Sequence, residues 1–313
     1  MTTQSKSSLV LKHLYAALAV DPIHVGSGAT RLGRVDLPIV RDPATNLPKI
    51  PGSSIAGVSR AATALRNNNT TCAGKSDEKI GGRNQCGDKD CPVCVPYGFT
   101  SGKNSLHGMA QFCDAHVLFF PVYTMAGTAW IACSDSLREI VGVEINEPSS
   151  PNTCRVAAGL EIPTFNGSKK INLGWLLLDG DDNNPFAVSP ELNLVPEAIR
   201  KRAVLVHSTI FSRLVNANLE IRTSVSIDPA TGAADEGALF SYEALPRGTV
   251  LGFEVLYADP SHFKVNRKKI TMSREEVRGH VQEGLEMLDV LGVGGMNTRG
   301  FGRLRVVDLG GRP

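Results

Sequence analysis

Four cysteines have the types and spacing that most plainly predict chemistry in this chain. Cys72 stands ahead of the run CGDKDCPVC, which supplies Cys86, Cys91 and Cys94, the last two as C-x2-C with a proline between them. The stretch around them is polar and cannot build a core of its own. Four thiolates match the tetrahedral preference of zinc, and closing such a site folds the loop that carries it. With four protein ligands the ion has no open position, so the predicted role is structural. A redox-active C-x-x-C pair and unrelated surface thiols are the alternatives. Within the zinc reading Cys72 is the weak link, for which His107 or Cys113 could substitute. Cys113, Cys133 and Cys154 read as small apolar residues.

A second constellation is HVGSGATRLGRVDLPIVRD. Gly26, Gly28 and Gly33 make the loop pliant, and Asp36 sits among Arg31, Arg34 and Arg41. The loop lacks both the GK[ST] ending of a phosphate loop and the G-x-G-x-x-G spacing, which argues against nucleotide binding. A carboxylate in a cationic loop is well placed beside an RNA phosphate, to bind a divalent metal or to accept the proton of a 2′-hydroxyl. The bland reading is that Asp36 pairs with an arginine. His24 is a satisfied polar residue on the same terms, or a base.

Two further turns offer main-chain donors. PGSSIAGVSR opens a helix whose serine cap is predicted at Ser53 or Ser54, and exposed amides at that end would attract an anion. LGVGGMNTRGFGRLRV, from Leu291 to Val306, clusters glycines at the close of the chain. Such clusters imply positive φ or very close backbone approach, and Arg299, Arg303 and Arg305 suggest an anionic object. Cradles of this kind fit a sugar-phosphate chain that is gripped without being read.

The bulk composition limits the partners. With 33 Lys and Arg against 31 acids in 313 residues, the chain is no polycation, and a polyanion must meet local stripes at residues 31–66 or Lys264–Lys269. Its 42% apolar content supports a large core. MTTQSKSS lacks signal-peptide architecture and no apolar run spans a membrane, so the expected location is cytoplasmic. Seven cysteines without a secretory signal favour metal over disulfides.

The elements that must position these residues read as strands and helices in an α+β core with large insertions. Residues 9–20 predict a strand, Ile55 to Leu65 a helix, and 109–124 a strand ending at its proline, followed by a helical stretch through Leu137. Residues 67–107 form a finger and 144–185 a second, polar excursion. A helix over SPELNLVPEAIRKRA, a hairpin over 219–247 around DPATG, a strand at VLGFEVLYA, a long amphipathic helix and a closing strand complete one domain over 1–313.

The combination of GSGATRLGRVDLPIVRDPATNLPKIPGSSIAGVSR, DAHVLFFPVYTMAGTAWI, and GALFSYEALPRGTVLGFEV followed by LGVGGMNTRGFGRLRV resembles the RAMP superfamily. Within it, the likeness is to the backbone subunit of Cmr-type (type III-B) CRISPR effectors, with a cysteine finger more like that of the Csm-type subunit. The resemblance implies a ferredoxin/RRM-like palm, a finger and a β-hairpin thumb. It implies copies stacked along a guide CRISPR RNA beside other type III subunits, and Mg2+ or another divalent cation cutting complementary single-stranded target RNA at Asp36. By the same resemblance, guide-gripping loops fall at Ser53 and Ser54 and around Gly294, Gly295 and Arg299; His24, Arg34, Lys49 and Asn297 are further candidate RNA contacts. The family's SLKG is SIAG here, so Ala56 removes a lysine and leaves Arg60 as its replacement. A non-catalytic scaffold, or a stand-alone guide-processing endoribonuclease with His24 as base, are the competing functions.

Overall fold

The apolar run of β1 (Val10–Ala19) is continuous because it crosses a sheet buried on both faces: Leu14 and Ala16 join one core cluster, Tyr15 and Ala17 the other. The computed structural model describes residues 9–28, 35–74, 85–101, 104–181, 183–193, 195–234 and 239–312. After β1 come α1 (Gly52–Arg66), β2 (Ala115–Thr124), β3 (Gly127–Cys133), β4 (Thr153–Val156), β5 (Ser168–Leu173) and β6 (Leu176–Gly180). Then follow β7 (Ala203–Val206), α2 (Ser208–Ala217), β8 (Glu220–Ser224) and β9 (Phe240–Ala244). β10 (Val250–Ala258), α3 (Arg274–Glu286) and β11 (Leu304–Arg312) close the chain.

Strands β11, β1, β10 and β2 lie side by side in that order, all antiparallel, with α1 following β1 and α3 following β10. This is the βαββαβ ferredoxin order, the predicted α+β palm. Helices α1 and α3 pack on one face. Their approach is close because Gly284 has no side chain: a Cβ there would lie 2.4 Å from Thr63 Oγ1 and 2.6 Å from the Ser59 carbonyl oxygen. The other face, open in an RNA-reading sheet of this order, is covered by Leu137, Val141, Phe186, Leu192 and Ile199. Bases cannot stack on it, so any nucleic acid must be met by the loops.

Several sequence expectations change. The helical stretch expected after residue 124 starts only at Ser134: the chain first turns at Gly127 (φ +84°) and returns as β3, and helical turns then cover Ser134–Ser136 and Leu137–Val141. Pro121 does not end β2. Its cross-strand partner Trp130 sends its N–H to the Arg202 carbonyl (3.0 Å), so the pair is a non-hydrogen-bonded one. The missing donor therefore faces the side where pairing with β10 has already stopped, at Phe119. Residues 144–185 do not leave the core, since β4, β6 and β5 extend the sheet beyond β7 and bury Cys154, Ile171, Leu173 and Leu178. Short strands between Pro, Asn and Gly turns hide that pattern. The helix predicted over 189–203 is two separate turns, Pro190–Leu192 and Glu197–Arg200, divided at Pro196.

No helix among the described residues is long and apolar enough to cross a membrane. The two α3 glycines give a paired test of the packing. Gly284→Ala should lower stability by about 1–3 kcal/mol through overpacking. Gly279→Ala, with open space around its Cβ position, should leave stability unchanged or raise it by up to about 1 kcal/mol through helix propensity; urea unfolding of both variants checks the contrast.

Candidate functional site

Three connections of the palm meet at one junction: the β1–α1 loop, the thumb hairpin β8–β9 and the glycine loop between α3 and β11. The β1–α1 loop docks on the thumb as an added strand. Leu37 N–H donates to the Ser241 carbonyl (3.0 Å) and Glu243 N–H to the Leu37 carbonyl (3.1 Å), while Ile23 and Leu245 exchange two bonds of 2.9 Å. Asp36 is thereby fixed to β9. Its Oδ2 accepts from Ser241 N–H (2.7 Å) and Ser241 Oγ (2.8 Å), and its own N–H donates to Ser241 Oγ (3.2 Å). These donors, the backbone N–H first, hold the exposed carboxyl below the usual carboxylate range. Its Oδ1 has no partner among the described residues.

Glu243 ties the junction together. Buried on β9, its Oε2 accepts from the Arg41 guanidinium (2.9 Å) and from Ile39 N–H (3.2 Å), and its carbonyl accepts from His24 Nδ1 (2.6 Å). Arg41 also donates to the Ile39 carbonyl (3.0 Å) and to Asn216 Oδ1 (2.9 Å). On the other side, the His24 carbonyl accepts from Gly295 N–H (2.9 Å), and a Cβ at Gly294 (φ +84°) would lie 2.3 Å from that same oxygen. Phe301 of the glycine loop packs edge-on to Tyr242 of β9 (5.5 Å) and takes the Arg222 guanidinium over its ring (4.5 Å).

Several expected contacts are occupied from within. His24 is buried and its Nδ1 donates to the Glu243 carbonyl, so it braces the junction through that nitrogen. The α1 N-terminus is capped at Pro51 with no serine side chain engaged; Asp114 Oδ1 takes the Gly52 N–H (2.8 Å), and Lys49 Nζ pairs with Asp114 (2.7 Å). Ser53 is exposed and Ser54 half-buried. Arg60 turns from the surface to donate to the Cys72 carbonyl (2.8 Å). Arg303 pairs with Asp21 (2.6 Å) and Arg305 with Asp289 (3.0 Å). Asn297 Nδ2 donates to the Leu291 carbonyl (2.9 Å), bracing the loop. Arg299 is exposed without a carboxylate partner among the described residues. Arg31 and Arg34 lie outside the described residues. Sequence reasoning missed Ser241, Glu243 and Asn216; the signal available was the alternation of Ser241 and Glu243 along FSYEA, which puts two polar groups on one face.

The cysteines assemble on the next connection, α1–β2. The sulfurs of Cys72, Cys86, Cys91 and Cys94 all lie within 4.8 Å of one another, and Cys86 and Cys94 are 3.7 Å apart. Metal–sulfur bonds of about 2.3 Å in a tetrahedron require sulfur separations of about 3.8 Å. Backbone N–H groups of Cys86 and Cys94 point at Cys72 Sγ (3.4 Å) and Cys91 Sγ (3.3 Å), and Asn69 Nδ2 at Cys91 Sγ (3.4 Å). The neighbouring Cys94 thiol pulls Cys91 down to about 5, while burial pushes Cys86 up to about 11. With this spacing the set can hold a metal ion. Cys72 completes it. His107 instead stacks on Phe263 (5.9 Å, 15°).

A family model described as the RAMP superfamily matches residues 17–305. The chain belongs to the RAMP superfamily. Among curated relatives, the CRISPR system Cmr endoribonuclease Cmr4 of Pyrococcus furiosus is 27% identical over 251 residues, 76% of this chain and 79% of that protein. Among solved structures, the type III-B Cmr-beta complex bound to cognate target RNA contains a chain of similar fold, with TM-score 0.61, 14% identity and coverage of 95% and 97%. Oligomeric Cmr4 from Pyrococcus furiosus gives TM-score 0.58, 20% identity and coverage of 97% and 100%. In this RAMP chain Arg41→Lys keeps the charge but cannot reach three acceptors. It should cost about 1–3 kcal/mol, the value of losing hydrogen bonds to buried or charged partners, in denaturant unfolding; a Glu243→Gln/Arg41→Lys double variant should cost less than the sum of the singles.

Proposed function

We propose that this chain is a repeated backbone subunit of a type III CRISPR ribonucleoprotein that binds guide RNA and cuts complementary target RNA through Asp36. The observation that carries the reading is the state of Asp36: ionised, exposed, with one oxygen held by the thumb strand and the other available. Membership of the RAMP superfamily supports it, as does the name of the Cmr4 relative, an endoribonuclease. The fold shared with a chain of a complex bound to target RNA, and with an oligomeric homologue, supports an assembly of stacked copies with other subunits.

RNA carries its own nucleophile, so the protein must splay the backbone into line, receive the proton of the 2′-hydroxyl and tolerate charge on the phosphate. The thumb supplies the first requirement. Ile221, Val225, Ile227 and Leu239 are exposed along it, and apolar wedges of this sort unstack a base step. Ser241 then keeps Asp36 at a constant distance from whatever the thumb displaces, because both lie on the same hydrogen-bonded ladder. Asp36 Oδ1 is the acceptor for the 2′-hydroxyl proton, directly or through water. Magnesium fits this setting, since it commonly binds through one or two carboxylates with substrate phosphates and retains several waters. Asp36 would hold it, and the ion would supply neutralisation of phosphate charge.

At the cysteine cluster the group is zinc: the donor set is all thiolate and the sulfur spacing suits a tetrahedral ion. Such a site fastens the finger to the end of α1 through Cys72.

Two measurements test this. In a reconstituted complex, Asp36→Asn should reduce target cleavage by about 100-fold or more, the scale of a lost acid–base group, while guide binding and assembly persist; unchanged cleavage would reject Asp36 and leave a scaffold. Purified protein should contain about one zinc per chain by elemental analysis, lost in Cys91→Ser together with thermal stability; a metal-free, fully folded parent would refute the zinc.

A further inference from the structure

We propose that the hairpin Lys264–Lys269, between β10 and α3, is a second polynucleotide contact that grips phosphates without reading sequence. The inference rests on the RNA-binding reading above but concerns a different surface. Two-residue strands, Lys264–Val265 and Lys268–Lys269, pair across Asn266 and Arg267, both in the left-handed region (φ 51° and 65°). That is the turn geometry whose twist suits a tight hairpin. Val265 and Ile270 are buried and pin the hairpin down, so its remaining side chains are directed outward.

Lys264, Arg267, Lys268 and Lys269 are all exposed, and none has a carboxylate within 4.0 Å among the described residues. Five cations at or near the junction differ, although Arg299 there also lacks an acid among the described residues. Arg41, Lys49, Arg222, Arg303 and Arg305, each on or near the junction, are paired with acids of the same chain. Four adjacent cations left unneutralised on a short, pinned hairpin repel one another and call for an external polyanion. Lysine ammonium groups are point charges suited to phosphate, and no exposed aromatic side chain stands within the hairpin to stack on a base, so the contact is to the backbone.

The location separates this surface from the junction. The hairpin follows the Ala258 end of β10, whereas the Asp36 loop and thumb meet beyond the Val250 end, roughly 30 Å away for a nine-residue strand. It is attached to the finger instead. Phe263 stacks on His107, and Thr271 N–H donates to Asp90 (3.3 Å), the residue before Cys91. Finger and hairpin thus present one edge to a strand passing the far side of the palm.

The test is binding of fluorescent mixed-sequence single-stranded RNA, and of a duplex of the same length, to the purified full chain over a salt series. The variant Lys264→Gln/Lys268→Gln/Lys269→Gln should weaken binding at least about tenfold. It should lower the slope of log K against log salt by about 2, near 0.7 for each single-strand phosphate no longer neutralised. Replacing the same three lysines by arginine should restore both. The RNA form that loses more affinity is the one the hairpin holds. Unchanged affinity and slope in the glutamine variant, with RNA binding by the parent intact, would overturn the proposal alone. Unchanged RNA binding with reduced self-association would overturn it in favour of a protein contact, and a parent that binds no RNA would sink both this and the proposed function.

Discussion

The buried carboxylate of Glu243 is the interaction on which the junction depends. It lies on a thumb strand, yet its partners are the Arg41 guanidinium and the Ile39 amide of the β1–α1 loop, and the carbonyl of the same residue receives His24. A buried charge is costly unless paired and hydrogen-bonded. The loop therefore cannot leave the thumb without stranding that charge. His24 passes the constraint on, because its own carbonyl is the acceptor for the Gly295 amide. Palm loop, thumb and glycine loop become one body.

This explains why so much of the positive charge and so many main-chain donors near the junction are directed inward. The glycine loop holds the protein to itself: Gly294 is glycine because the His24 carbonyl occupies the space of a side chain. Asp114 fills the anion position at α1 that a phosphate would otherwise take. What remains facing outward is a small set of groups, chiefly Asp36, the apolar thumb residues and Arg299. Under the proposed function, a surface of that kind would hold a polynucleotide through shape and repetition over many copies more than through local charge density.

Much of the architecture is legible in the sequence. The βαββαβ palm follows from the strand and helix patterns together with the family resemblance, and the cysteine cluster follows from spacing because metal ligands impose a short, rigid geometry. The α+β class survives errors in detail. Pro121 suggests a strand end because its harmless position, at the limit of pairing with β10, is a property of the sheet and not of the residue. The strands within 144–185 escape a pattern search because each is short and their burial comes from neighbours distant in sequence. At the junction, Asp36 is visible as a lone acid among arginines, but its partner Ser241 is 205 positions away. Composition gives the charges, and only the fold reveals that Arg41 and Lys49 answer Glu243 and Asp114.

The claim that the three loops form one body is tested most directly by native-state hydrogen exchange at the amides of Leu37, Ile39, Ser241 and Gly295, compared between the parent and Glu243→Ala. All four should be protected in the parent with similar opening free energies, and all four should lose protection together in the variant. If Leu37 and Gly295 exchange at different, uncorrelated rates in the parent, or if the variant releases Ile39 alone, the loops move independently and the account is wrong.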